Sequence, residues 1–204
     1  MKCLLTAFLI FISLTLSAQD RDKKWRENYA LLKELVHKES YQEAIIQGLK
    51  TEKIAARLYQ KKNIIYHIRT LKVLSTAYEG VSDYNNAVYY ANKSGDLFKE
   101  VNAAEYHGDL IEHMSHMAIL CTSIHSFENA EKMYQMEFML LDTYHLRGTE
   151  DYALALNNRA TLYGGLSRYG EADSLYEAAR QIRGNLAEQD TTTGSTCFTI
   201  IRPR

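Results

Sequence analysis

Tyr169-Gly-Glu-Ala172 decides how this chain is read, because it recurs. Tyr41-Gln-Glu-Ala44, Tyr84-Asn-Asn-Ala87 and Phe127-Glu-Asn-Ala130 share its aromatic, two variable residues and alanine. The alanines stand 43, 43 and 42 residues apart. A constant spacing of that size marks stacked supersecondary units. Upstream, a second pattern keeps its distance from each alanine. Twelve residues before it stand Leu32, Ser75, Ala118 and Ala160, and nine before it Leu35, Tyr78, Cys121 and Tyr163. Sixteen before it, Leu71, Met114 and Leu156 are apolar and the first unit has Asn28. Four after it come Gly48, Ala91, Tyr134 and Tyr176.

Offsets of −16, −12 and −9 differ by four and three, so these side chains share one face of a helix. The small residue at −12 and the alanine at 0 let two helices approach closely. The aromatic at −3 opens the second helix and fills the gap between them. Each unit is thus an antiparallel helical hairpin whose remaining apolar face needs the next hairpin to cover it. The spacing predicts helices at about 25–38 and 41–60, 65–80 and 84–100, 104–123 and 127–146, and 151–166 and 169–187. Asp83 and Ser167 are the expected N-caps of two second helices.

Composition agrees. Of 204 residues 46% are hydrophobic, and the one proline is Pro203, with 10 glycines. So little turn punctuation favours long helices over sandwiches or α/β folds. Balanced charge, 24 basic against 25 acidic residues and a net of −1, gives no electrostatic footprint for nucleic acid. Three cysteines do not make a disulfide scaffold. Of the 15 tyrosines, Tyr41, Tyr78, Tyr84, Tyr134, Tyr163, Tyr169 and Tyr176 fall at repeat-packing positions, and an aromatic stripe there is expected to be core.

These residues resemble the tetratricopeptide repeat. The fourth unit matches best, through Tyr152-Ala-Leu-Ala-Leu-Asn-Asn158, Ala160, Tyr163, Arg168-Tyr-Gly-Glu-Ala172, Tyr176 and Ala179. The third matches through Ala118, Phe127, Ala130 and Tyr134, and the second through Leu71, Ser75, Tyr78, Tyr84 and Ala87. The first matches through Trp25, Tyr41 and Ala44. The proline that usually closes each repeat is absent, and Arg159 replaces the family's leucine before the small residue. A spacing of 42–43 residues rather than the common 34 looks like the kinesin-light-chain variety, also found in bacterial proteins that carry a caspase-like CHAT domain. The resemblance implies an all-α, right-handed superhelical solenoid of about four antiparallel hairpins over 20–187, with repeats at about 25–60, 65–102, 104–147 and 151–187. It also implies a non-catalytic module that holds a peptide or partner protein in its concave face, with no cofactor.

In this family the first helix of each pair lines the concave face. The corresponding positions are Arg26, Tyr29, Ala30 and Lys33 in the first unit, then Arg69, Lys72, Val73 and Thr76. The third unit gives Glu112, Ser115, His116 and Ile119, and the fourth Leu154, Asn157, Asn158 and Thr161. Asparagine amides match the alternating donors and acceptors of an extended backbone, which singles out Asn157 and Asn158 for peptide contact. The competing reading makes them solvated or locally hydrogen-bonded residues. Arg26, Lys33, Arg69 and Lys72 suit an acidic segment or a C-terminal carboxylate, against which stands the reading of a solvated helix face that Glu52, Glu79 and Glu112 partly neutralise.

His113 and His116, with His107, Asp109 and Glu112 nearby, raise the remote alternative of a metal-dependent hydrolase, but the zincin His-Glu-x-x-His pattern is missing and no metal site is expected. Cys121 sits at a core position where burial raises its thiol pKa. Another alternative is a spacer or sensory segment of a larger signalling protein of CHAT or sensor-kinase type, with end-to-end self-association as its mode of contact. Neither of those domains lies within these residues.

The two ends differ from the repeats. Met1-Lys2, the apolar run Leu4 to Leu16 and Ser17-Ala18 have the layout of a secretory signal peptide, too short to span a bilayer. The expectation is cleavage near Ala18, a periplasmic or secreted protein, and no membrane span thereafter. Residues 188–204, with Thr191-Thr-Thr-Gly-Ser-Thr196, form helix poorly and are expected to be a poorly ordered tail.

Overall fold

The computed structural model describes residues 20, 22–58 and 64–196. The expected signal segment, 1–18, and the chain after 196 lie outside the described residues. All regular structure among the described residues is helical: α1 (22–37), α2 (Tyr41–Arg57), α3 (Ile64–Gly80), α4 (Tyr84–Phe98), α5 (His107–Ser123), α6 (Phe127–Thr143), α7 (Glu150–Gly165) and α8 (Tyr169–Thr196). The fold is an all-α helical-repeat solenoid of hairpins. Its described residues divide into a first unit that ends at His113 and a second that begins at Met114, with the boundary inside α5.

Each hairpin closes in the same way. Glu39, Ser82, His125 and Ser167, all five residues before a repeat alanine, adopt φ of 57°, 61°, 60° and 59°. The next residue in each case sends its N–H back to the residue at −9. Ser40 bonds Leu35, Asp83 bonds Tyr78, Ser126 bonds Cys121 and Arg168 bonds Tyr163, at 2.8–2.9 Å. The left-handed residue itself bonds three back, to Val36, Glu79, Thr122 and Gly164. This is a Schellman closure, built four times without glycine at the left-handed position. Asp83 caps α4 as expected, accepting from the Asn86 N–H at 3.2 Å. Ser167 does not cap α8. It holds the left-handed turn, and α8 starts at Tyr169.

The alanines are where the helices meet. Ala44, Ala87, Ala130 and Ala172 are buried, and so are Leu32, Ser75, Ala118 and Ala160. Ser75 places its hydroxyl on the Ala87 carbonyl at 2.7 Å, so even its polar atom serves the close approach. In the first unit α2 packs on α3 and α3 on α4; in the second, α6 packs on α7 and α7 on α8. The aromatic at −3 reaches the next hairpin. A Cβ added at Gly80 of α3 would stand 2.5 Å from the Tyr41 ring, and Phe127 joins a cluster with Ala160 and Tyr163 of α7. Trp25 anchors α1 by stacking between Tyr29 and Tyr66 and donating its indole N–H to Thr70 at 3.0 Å.

Three expectations need correction. Tyr169 and Tyr176 are not core: they stand 65% and 43% exposed, because these positions are covered in earlier hairpins by the hairpin that follows. The helix expected to stop at 187 continues through Thr196, giving α8 28 residues. Extending an existing helix adds a hydrogen bond for each residue fixed, so weak formers can be carried along. The break before α3 also comes sooner, since α2 ends at Arg57.

Candidate interaction site

Both units present side chains from first helices, and each is described separately.

In the first unit, α1, α3 and α5 enclose a cleft of about 420 Å³. Tyr29, Lys33, Arg69, Lys72, Val73, Gly108, Asp109 and Glu112 line it. Three of its cations therefore come from the groove positions expected from the sequence. Two of them are already engaged. Arg69 donates from Nε and Nη2 to the two carboxylate oxygens of Asp109 at 2.6 and 2.8 Å. One helical turn on, Lys72 pairs with Glu112. The third, Lys33, lies 5.4 Å over the Tyr29 ring and makes no ion pair among the described residues.

Burial pushes the Lys72 ammonium down to about 8; Asp109 opposes this, while Arg69 and Lys33 add to it. Its hydrogen bond to Asp109, working against burial, holds the Arg69 guanidinium above its ordinary value. Burial also moves the Tyr29 phenol up to about 12, although Arg69 favours its ionised form. The chemistry on offer is anion recognition: a low-dielectric wall and fixed cations, with one acidic partner at the mouth.

Arg26 is turned elsewhere, pairing with Asp22 at 2.9 Å and donating to the Tyr66 hydroxyl at 3.2 Å. Thr76 spends its hydroxyl on the Lys72 carbonyl at 3.2 Å. Glu52 accepts from Lys93 at 2.8 Å and lies 3.1 Å from His67, outside the cleft lining. His113 is buried against Phe98, with Nε2 2.9 Å from where a Gly95 Cβ would stand, and burial first, then Lys72, lowers its imidazole to about 4. Among the described residues no group of three or more His, Cys, Asp or Glu side chains is placed to hold a metal ion. Cys121 is half-buried against the second unit's core, and burial raises its thiol.

In the second unit, Asn158 of α7 donates from Nδ2 to Ser115 Oγ of α5 at 3.4 Å. Burial drives the Glu137 carboxyl of α6 up to about 7, against a hydrogen bond from Ser115 that lowers it. The Asn157 carbonyl accepts the Thr161 hydroxyl at 3.1 Å, and Thr161 Oγ1 lies 3.2 Å from the Tyr176 hydroxyl. His116 is half-buried, and Ile119 and Leu154 are exposed apolar neighbours in the register. Ser115 and Asn158 are thus brought together, as are Arg69 and Lys72. The hydrogen bond at Asn157 involves its backbone carbonyl, within α7.

Sequence reasoning missed the parts played by Asp109 and Glu137. The signal for Asp109 was available: Arg69 and Lys72 each find an opposite charge 40 residues on, a spacing that neighbouring first helices bring into contact. The signal for Glu137 was its register, seven residues after the alanine, where the other units have Thr51, Ser94 and Ala179.

No protein-family model matches the chain. No curated protein matches it in sequence. Solved structures do match, among them the crystal structure of BtubC (BKLC) from P. vanneervenii, at 17% identity and a TM-score of 0.64. That alignment covers 85% of this chain and 72% of the other. At this identity the likeness concerns the fold, and it supports a tetratricopeptide-like helical repeat. No helix among the described residues is long and apolar enough to cross a membrane.

Proposed function

We propose that this chain is a non-catalytic interaction scaffold of the long-period, kinesin-light-chain-like variety, exported after removal of residues 1–18. Its first-helix faces hold an extended peptide or a partner protein, and the α1–α3–α5 cleft takes an acidic side chain or terminal carboxylate of that ligand. The observation that carries this is the cleft's inventory: Lys33 has no ionic partner among the described residues, and Lys72 is paired only to a carboxylate at the mouth. Glu112 keeps its side chain 65% exposed, so an incoming carboxylate can replace it, whereas Asp109 at 15% stays as the fixed wall. A ligand carboxylate between two cations gains charge-assisted hydrogen bonds in a partly desolvated setting. The 43-residue spacing supports the variety. The charged start, apolar run and small residues before Gln19 support export.

The test is fluorescence anisotropy with two fluorescein-labelled peptide pools, one of acidic sequences with free C-terminal carboxylates and one of neutral, amidated sequences. The acidic pool should bind the full chain at least about tenfold more tightly, a difference of about 1.4 kcal/mol. Lys72→Ala should abolish that preference while leaving the helical melting curve nearly unchanged. Equal binding of the two pools, or full retention in the variant, refutes the cleft assignment.

A further inference from the structure

Seven residues after the alanine, every hairpin has an enclosed slot. Thr51, Ser94, Glu137 and Ala179 occupy it at 0, 0, 2 and 0% exposure. Three of the four side chains are small and one is a glutamate. Enclosing a carboxyl without a cation is unfavourable, and the other hairpins show that packing does not require it. What Glu137 does there is therefore written in its hydrogen bonds. Oε2 is buried with no partner, and the carboxyl's bond is to Ser115. Ser115 Oγ in turn receives the Asn158 Nδ2. A hydroxyl has one proton and two lone pairs, and an ionised carboxylate can only accept. The Ser115 proton must then point at Glu137, and a lone pair is left for Asn158. That sets the amide: nitrogen towards Ser115, with the carbonyl left without a partner among the described residues.

We infer that Glu137 is the positioning residue of the second unit's face, fixing the Asn158 amide through Ser115 so that its carbonyl is presented to a backbone N–H of a bound peptide. This rests on reading that face as a peptide site. Protonation reverses the chain of donors. A neutral Glu137 carboxyl donates its O–H to Ser115 Oγ as a hydrogen bond and keeps its proton, the Ser115 hydroxyl hydrogen swings towards Asn158, and the amide turns over to accept that hydrogen bond with its carbonyl. Ser115 on α5 and Asn158 on α7 are neutral, and Tyr134 on its own helix has its phenol raised well above the usual range, by burial first and then by Glu137. Glu131 and Arg159 face each other and Tyr163. Burial has moved Glu137 to about 7, so both states are populated near neutrality.

The experiment follows the side-chain amide of Asn158 and the carboxyl carbon of Glu137 by NMR on the full chain between about pH 5 and 9. In the unaltered protein the two should titrate together, with a common midpoint. Ser115→Ala should leave Glu137 titrating and the Asn158 signals flat, and Glu137→Gln should leave Asn158 flat at every pH. An Asn158 amide that ignores pH while Glu137 titrates overturns the proposal, as does a response that survives Ser115→Ala. Should Glu137→Gln fail to fold, the Ser115 variant still decides. No ligand is needed, so a failure of the peptide reading is separately visible as acidic-pool binding that Asn158→Ala does not weaken.

Discussion

At the scale of residues, the cleft's two ion pairs look alike in sequence and differ in what they do. Asp109 meets Arg69 with both oxygens and is largely enclosed; Glu112 meets Lys72 from the solvent side. A bidentate, partly buried pair costs more to break than an exposed one, because its survivor is left desolvated. Asp109→Ala should lower stability by about 2 kcal/mol. Glu112→Ala should cost about 0.5 kcal/mol or less. Urea titrations of the full chain followed by circular dichroism measure both. Equal losses would mean that Glu112 is as structural as Asp109, and a ligand carboxylate could not then displace it. Arg69, Lys72 and Glu112, though not Asp109, were legible from groove positions implied by the repeat. Their occupation was not, since one-dimensional spacing shows which charges exist and only contact between helices shows which are already satisfied.

At the scale of the element, the hairpin closure offers a sharper test of the same boundary between legible and hidden. The helical pairs, their order and the buried alanines followed from a 43-residue spacing, because only a helix places −16, −12, −9 and 0 on packing faces. The turn geometry did not follow. Sequence reading looks for glycine at a left-handed position, and here the positions carry Glu39, Ser82, His125 and Ser167. A side chain in that conformation is strained by about 1 kcal/mol, which glycine relieves at some cost in unfolded-chain entropy. Ser82→Gly, at an exposed site, should therefore stabilise by about 0.5 kcal/mol, seen as a higher melting temperature. Two residues away the opposite change should fail. Gly80→Ala improves helix propensity by about 1 kcal/mol but drives a methyl into the Tyr41 ring at 2.5 Å. Its net effect should be destabilising, by about 1–3 kcal/mol. A stabilising Gly80→Ala would show that Tyr41 can withdraw from α3 freely, and that the −3 aromatic contributes little to stacking of one hairpin on the next.

At the scale of the molecule, the two units carry buried titratable groups of opposite sense, so acid should act on them in opposite directions. In the first unit His113 is held neutral to about 4 against an ordinary 6.5, by burial and then by Lys72. Burial likewise lowers His67, with Glu52 opposing. As pH falls from 6.5, the unfolded chain takes up protons that the folded unit refuses, and stability is lost. In the second unit Glu137 titrates near 7 against an ordinary 4.5. As pH falls from 7 to 4.5, the folded unit takes up a proton that the unfolded chain does not, and stability is gained. The His113 and Glu137 shifts each correspond to about 3 kcal/mol across their windows. Hydrogen exchange read by mass spectrometry, corrected for intrinsic rates, separates the units: between pH 7 and 5, protection should fall in α3 and α4 and rise in α6 and α7. Glu137→Gln should erase the second trend alone and His113→Gln should reduce the first. The neutral partners that make Glu137 responsive, Ser115 and Asn158, are also the ones that connect it to the open face, so a gain in protection confined to α6 and α7 would be the stability counterpart of the amide reversal. If protection moves the same way in both units, the shifts arise from the general charge of the chain rather than from burial, and the neutral surroundings assigned to Glu137 are wrong.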